Sequence, residues 1–295
     1  MNKSKGIPGS GLKIVAIIAM LIETFGLTFI MDLEHKGFIR PFCNTVPINN
    51  FFKIGGSAAL IILTFLLAEG FTHTSNKRGY IFRLVVCAVM TEFAYDYLMT
   101  GTFNSLYQSV LVSYIIAFLA LILIDMINKR LINPSEGSDS VMKATLGIFL
   151  VFIITILAMA ASEFFRGDYG CLAVMLVIFF YFFKNNKTAV LIGGLLIFAF
   201  GHILHGLLDY VPLAVLSGQP EFLTKLFTFK FAVSYLAKDF THVMSLFGAI
   251  IGLIFVSLYN GKKGYQSAKI TYYLFFPLHM LLMNVASTFF IICLI

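Results

Sequence analysis

The sequence predicts an all-α fold, a polytopic transmembrane bundle of about nine helices forming a single integral membrane domain over 1–295. Three observations carry that prediction. First, 59% of the residues are apolar and only 12% are charged, against about 45–50% and about 25% in an ordinary globular chain. A water-soluble fold needs a polar surface that this composition cannot supply. Second, the apolar residues fall into nine long runs. Third, the runs are apolar on all sides. Barrel strands are about 10 residues long and alternate in polarity, so helices are the only spanning structure left.

The runs are 12–31, 54–72, 79–99, 106–127, 143–162, 169–183, 189–208, 242–258 and 270–291. About 20 residues of helix cross the hydrocarbon layer. The first follows Lys3 and Lys5 and continues to Ile30. It is too long for the core of a signal peptide and lacks a small-residue cleavage site, so it reads as an uncleaved helix. The sixth is short and is expected to borrow residues from its flanks. Two long loops remain, 32–53 and 209–241. Within the second, 211–216 and 226–237 are apolar enough to lie on or dip into the membrane, which leaves a tenth crossing open. The stretch Asn133-Pro134-Ser135-Glu136-Gly137-Ser138 is the best flexible joint. No internal repeat is visible, which weighs against a transporter.

Charge sets the expected orientation. With the N-terminus inside, Lys3, Lys5, Lys77, Arg78, Lys129, Arg130, Lys143, Lys184, Lys187, Lys262, Lys263 and Lys269 all fall inside. Lys36, Arg40, Lys53, Arg166, Lys225, Lys230 and Lys238 fall outside. Short basic loops mark the cytoplasmic side. The net charge of +7 therefore reports topology, and the expected partners are membrane lipids with no nucleic acid. Tryptophan is absent, so the 13 tyrosines must supply the interfacial belt. Cys43, Cys87, Cys171 and Cys293 show neither zinc-ligand spacing nor a disulfide framework. Cys87 and Cys171 read as small buried hydrophobes.

Ionisable residues inside such helices are costly and therefore informative. Glu23 lies deep in the first helix. Glu69 and His73 are one turn apart near the inner end of the second, so they share a face. A carboxylate beside an imidazole can orient it as a base near neutral pH. Glu92 and Asp96 repeat the spacing in the third helix, where pairing with other helices is an equal reading. Asp168 opens the sixth helix as an expected N-cap. Pro277 and His279 place a kink and a titratable group together in the last helix. His202 and His205 are three residues apart, but no third ligand is evident and no metal is expected. His242 reads as structural. No phosphate loop or nucleophile elbow is present.

The order of several motifs resembles the TraX family, named for a conjugation protein associated with N-terminal acetylation of pilin. The first helix carries Leu12-Lys13-Ile14-Val15-Ala16-Ile17-Ile18-Ala19-Met20-Leu21-Ile22. The second ends in Glu69-Gly70-Phe71-Thr72-His73-Thr74, and a basic turn and Arg83 follow. Then come Thr91-Glu92-Phe93-Ala94-Tyr95-Asp96, Asp168-Tyr169-Gly170, Tyr259-Asn260-Gly261-Lys262-Lys263-Gly264, and Tyr272-Tyr273-Leu274-Phe275-Phe276-Pro277-Leu278-His279.

The resemblance implies a membrane acyltransferase of the bacterial cytoplasmic membrane that uses acetyl-CoA. The acceptor would be a hydroxyl or an amine of unknown identity. On that reading His73 and His279 are the candidate bases and Glu69 orients His73. Lys13 and Arg83, with Lys77 and Arg78, meet the donor's phosphates, while Gln108 and Tyr169 position substrate. Three departures stand out. The family's Asp-His-Ile-Gly is Glu23-Thr24-Phe25-Gly26 here, so an expected histidine is Thr24, whose hydroxyl does not titrate near neutral pH. The family's His-Gln-Asn is Tyr107-Gln108-Ser109, and an expected proline is Ala94. These losses raise a second reading, a non-catalytic relative that binds a lipid, an acyl donor or a partner protein. A proton-coupled transporter is third.

Overall fold

Backbone groups in apolar surroundings must pair within their own segment, and among the described residues nine helices do so. The computed structural model describes residues 6–41, 46–100, 108–132, 141–216, 240–265 and 269–294. Lys3, Lys5, Cys43, Tyr107, the 133–138 stretch, the 226–237 stretch, Lys225, Lys230 and Lys238 lie outside the described residues.

The helices are α1 (Gly9–His35), α2 (Ile48–His73), α3 (Lys77–Thr100), α4 (Val110–Ile132), α5 (Val141–Phe164), α6 (Gly170–Phe183), α7 (Gly194–Leu216, entered by a π turn at Ala189–Gly193), α8 (Phe240–Ser257) and α9 (Lys269–Leu294). Seven of the nine are long and apolar enough to cross a membrane. Helix α3 is long but more polar, and α6 has only 14 residues.

The shortness of α6 has a structural reason. It packs against α2, α4, α5 and α7, and Leu172, Ala173, Val174, Leu176 and Val177 are fully buried. At 1.5 Å per residue it spans about 21 Å, less than the bilayer core. The helix itself begins only at Gly170, and the backbone of the turn before it, 165–169, is paired: the Gln108 N–H donates to the Arg166 carbonyl (3.0 Å) and the Asp168 N–H to the Gln108 carbonyl (2.7 Å).

Helix α2 is the second central element, clasped between α1 and α8. Small residues permit that approach, as they do generally between membrane helices. A Cβ on Gly55 would stand 2.3 Å from the Ala19 carbonyl oxygen, and one on Gly248 2.3 Å from that of Ile54. By contrast α5 buries only Gly147, Ala158 and Ser162. Much of its remaining surface, including Phe149, Phe152 and Leu157, is exposed, as suits a helix with one face toward lipid.

Two expectations change. Residues 211–216 do not form a separate dip, because α7 continues through Leu216. Asp168 is not the N-cap of α6. Tyr169 holds that position in a left-handed conformation (φ 57°), and the Glu163 carboxylate accepts the Cys171 N–H at 2.6 Å.

Helix α9 runs through Pro277. Proline has no N–H for the carbonyl one turn back, here that of Tyr273. The Cys87 thiol of α3 lies 3.3 Å from that oxygen and donates to it. A residue read as a small hydrophobe thus satisfies the carbonyl that the kink frees.

Candidate functional site

The helix ends segregate the charged residues into two groups. At one end, which we call the basic end, the N-terminal segment meets the chain just after α8: the Ile7 N–H donates to the Leu258 carbonyl at 2.8 Å. There Asp125 accepts from Lys77 (2.7 Å), Lys129 (2.8 Å) and the Tyr181 hydroxyl (3.0 Å). Glu69, at the close of α2, accepts from Lys184 and from the Tyr259 hydroxyl (3.1 Å). His73 Nε2 stands 3.6 Å from Glu69 Oε1, and its Nδ1 meets the Thr72 hydroxyl at 3.1 Å. Burial, together with the neighbouring Glu69 carboxylate, pushes the Tyr259 phenol up to about 12, so it remains a donor at every ordinary pH.

A cavity of about 430 Å³ opens among these residues, within the range typical of small-molecule sites. Lys13, Glu69, His73, Arg83 and Lys263 line it, and Ile17, Met20, Leu63, Leu67, Leu84 and Phe276 form its apolar walls. Two of its cations lie over aromatic rings: Lys13 Nζ is 4.8 Å from the ring centre of Tyr272, and the Arg83 guanidinium is 5.8 Å from that of Tyr80. Arg83 has no acidic partner among the described residues. Cys87 and Tyr114 also line the cavity. The Tyr114 hydroxyl is buried and makes no hydrogen bond among the described residues, which is uncommon enough to mark a polar group available to a ligand.

The second group lies at the far end. Glu23 pairs with Lys53 (3.2 Å) and fills the space a Cβ on Gly56 would take. Glu92 accepts the Ser109 N–H (3.0 Å) and hydroxyl (2.5 Å), closing the start of α4. Glu163 pairs with His205 (3.0 Å), and His202 Nε2 meets His242 Nδ1 at 2.7 Å. Burial raises the Asp168 carboxyl to about 6, against the opposing pull of Lys53.

The candidate residues from the sequence therefore divide. Lys13, Arg83, Glu69 and His73 share one cavity. His279 does not line it. Its Nδ1 faces the Phe275 carbonyl (2.9 Å), its ring stacks on Phe275, and its Nε2 is buried without a partner among the described residues. Gln108 and Tyr169 stand at the far end, Gln108 paired to the 165–169 turn and Tyr169 closing it. Thr24 is buried, and its hydroxyl is spent on the Met20 carbonyl (2.9 Å). Sequence reasoning missed Lys184 and Tyr259 as partners of Glu69. Their positions at the basic ends of α6 and α8 were the available signal.

A multi-helix bundle of long apolar helices, with polar clusters at both ends and a cation-lined cavity at one of them, defines a polytopic helical membrane protein. The chain matches the family model described as TraX protein over residues 8–287, and it belongs to the TraX family. It is 26% identical over 296 residues to the "Probable fimbrial assembly protein FimC, serogroup H1" of Dichelobacter nodosus, covering 98% of this chain and 99% of that one. No solved structure matches it.

Proposed function

We propose that this protein is a membrane-embedded acyltransferase that takes an acetyl group from acetyl-CoA at its basic end, in the bacterial cytoplasmic membrane with the N-terminus in the cytoplasm. The observation that carries the reading is the cavity, which brings Lys13, Arg83 and Lys263 together with the Glu69–His73 pair. Cations at its mouth suit the phosphates of the donor, and its apolar walls suit the pantetheine arm and the acyl group. His73 takes the proton of the acceptor hydroxyl or amine as that atom attacks the thioester carbonyl. Lys13, which lines the same cavity, is the donor for the developing oxyanion. Collapse breaks the carbon–sulfur bond, and the thiolate of CoA leaves and takes the proton from His73. The fimbrial name of the relative directs the search for an acceptor to the amino groups of pilus-type subunits.

Two observations favour the non-catalytic reading. The charge of Glu69 is already shared with Lys184 and Tyr259, which weakens its hold on His73, and the family's histidine is the spent Thr24. Purified protein incubated with labelled acetyl-CoA and a panel of amine and hydroxyl acceptors separates the two. Acceptor-dependent release of free CoA thiol is the expected result. Saturable binding with no release across the panel supports a binding protein instead.

A further inference from the structure

We propose that Glu163, Cys171 and His205 form a binding site for a divalent ion of the zinc class at the far end of the bundle. The three residues come from three helices, at the end of α5, the start of α6 and the middle of α7. One carboxylate oxygen, the thiol sulfur and one imidazole nitrogen all lie within 4.8 Å of one another. A tetrahedral zinc site with Zn–N and Zn–O near 2.0 Å and Zn–S near 2.3 Å holds its ligand atoms roughly 3.3–3.7 Å apart. His205 Nδ1 and the Glu163 carboxylate are already 3.0–3.2 Å apart, so small side-chain rotations close the geometry.

An ordinary ion pair explains the Glu163–His205 contact. It does not explain why a buried thiol is turned to the same point, nor why the residue beside it lacks a side chain. Gly170 has a φ of +26°, and a Cβ there would stand 2.2 Å from Glu163 Oε1 and 2.9 Å from His205 Nδ1. Only glycine at 170 lets the Glu163 carboxylate and the His205 ring pack this closely against the backbone beside Cys171. A thiolate, an imidazole and a carboxylate together select a borderline-soft ion such as zinc over magnesium or calcium. Three protein ligands leave the fourth position to water, as in zinc sites that are not purely structural.

Binding converts the Cys171 thiol to thiolate and releases its proton to solvent. The Cys171 N–H bond to Glu163 (2.6 Å) holds that carboxylate toward the ion. The ion would tie together the ends of α5, α6 and α7 beside the 165–169 turn. The site is independent of acyl transfer at the other end.

The test is titration of tag-free protein in detergent with Co²⁺, followed by competition with Zn²⁺. The wild type is expected to develop a near-ultraviolet thiolate-to-cobalt charge-transfer band that saturates at one equivalent and disappears on adding zinc. Cys171→Ser removes the band, and His205→Ala weakens the ion by at least the roughly 10–100-fold that loss of even an outer-shell partner costs. His202→Ala, in the neighbouring histidine pair, retains it. A combined Cys43→Ser, Cys87→Ser, Cys293→Ser variant keeps the full band with Cys171 as its only thiol, so the assignment stays testable if Cys171→Ser does not fold. No band in the wild type, a full band in Cys171→Ser, or loss of the ion in His202→Ala alone would each overturn the site.

Discussion

The two ends of the bundle spend their charges differently. At the far end, ionic groups face each other across close helix contacts: Glu23 meets Lys53, Glu92 meets Ser109, and Glu163 meets His205. The basic end has closed pairs too, Asp125 with Lys77 and Lys129 and Glu69 with Lys184, but there Lys13, Arg83, His73 and Glu69 also line open space. Closed pairs within a packed region hold helices in register. Cations gathered around a cavity are placed to attract an anionic ligand. On the proposed function, acyl-donor recognition belongs to the second region and the packing of helix ends to the first, and that contrast can be attacked from either side.

The largest expected effect is at the cavity. His73→Ala should lower turnover by about 10²–10⁴-fold, the usual contribution of a positioned base. The half-exposed His73 side chain should leave the melting temperature nearly unchanged. If turnover survives, His73 is not the base.

Next comes the far end, where Glu92→Ala strips the partner from the Ser109 N–H and hydroxyl. An orphaned buried donor costs about 1–3 kcal/mol. Thermal unfolding in detergent should show that loss, with acetyl-CoA binding unaffected. A variant that binds poorly but melts normally would reverse the contrast.

The smallest effect is a pH dependence. In the folded protein Asp168 titrates near 6 instead of 3.8, so the folded state binds more protons than the unfolded state between those values. Stability should therefore fall as pH rises from about 4 to about 6. Asp168→Asn should flatten that slope, and an unchanged slope would show that another group carries it.

Much of the fold was legible because a spanning helix announces itself locally. The run 79–99 became Lys77–Thr100 and 242–258 became Phe240–Ser257. Half of the site was legible for the same reason. Glu69 and His73 are joined by helical spacing alone, and the basic residues near them share an end because the crossings alternate. What stayed hidden depends on partners far apart in sequence. Nothing local says that Cys87 will cover the carbonyl freed by Pro277, or that Lys184 will take Glu69. Glu163 drew no notice at the end of an apolar run, yet it caps α6 and holds His205. Gln108 and Tyr169, read from the resemblance as positioning substrate, do not line this cavity, and no local signal separates them from the residues that do.

The central claim is that the basic-end cavity receives acetyl-CoA, and equilibrium binding of labelled acetyl-CoA to purified protein tests it most directly. The account predicts saturable binding that weakens with added salt. It also predicts loss of at least about tenfold in affinity for Lys13→Glu combined with Arg83→Glu, because each change puts like charge against the donor's phosphates. Glu92→Ala should bind as the wild type does. Absence of saturable binding, or affinity untouched by the double charge reversal, would contradict the account.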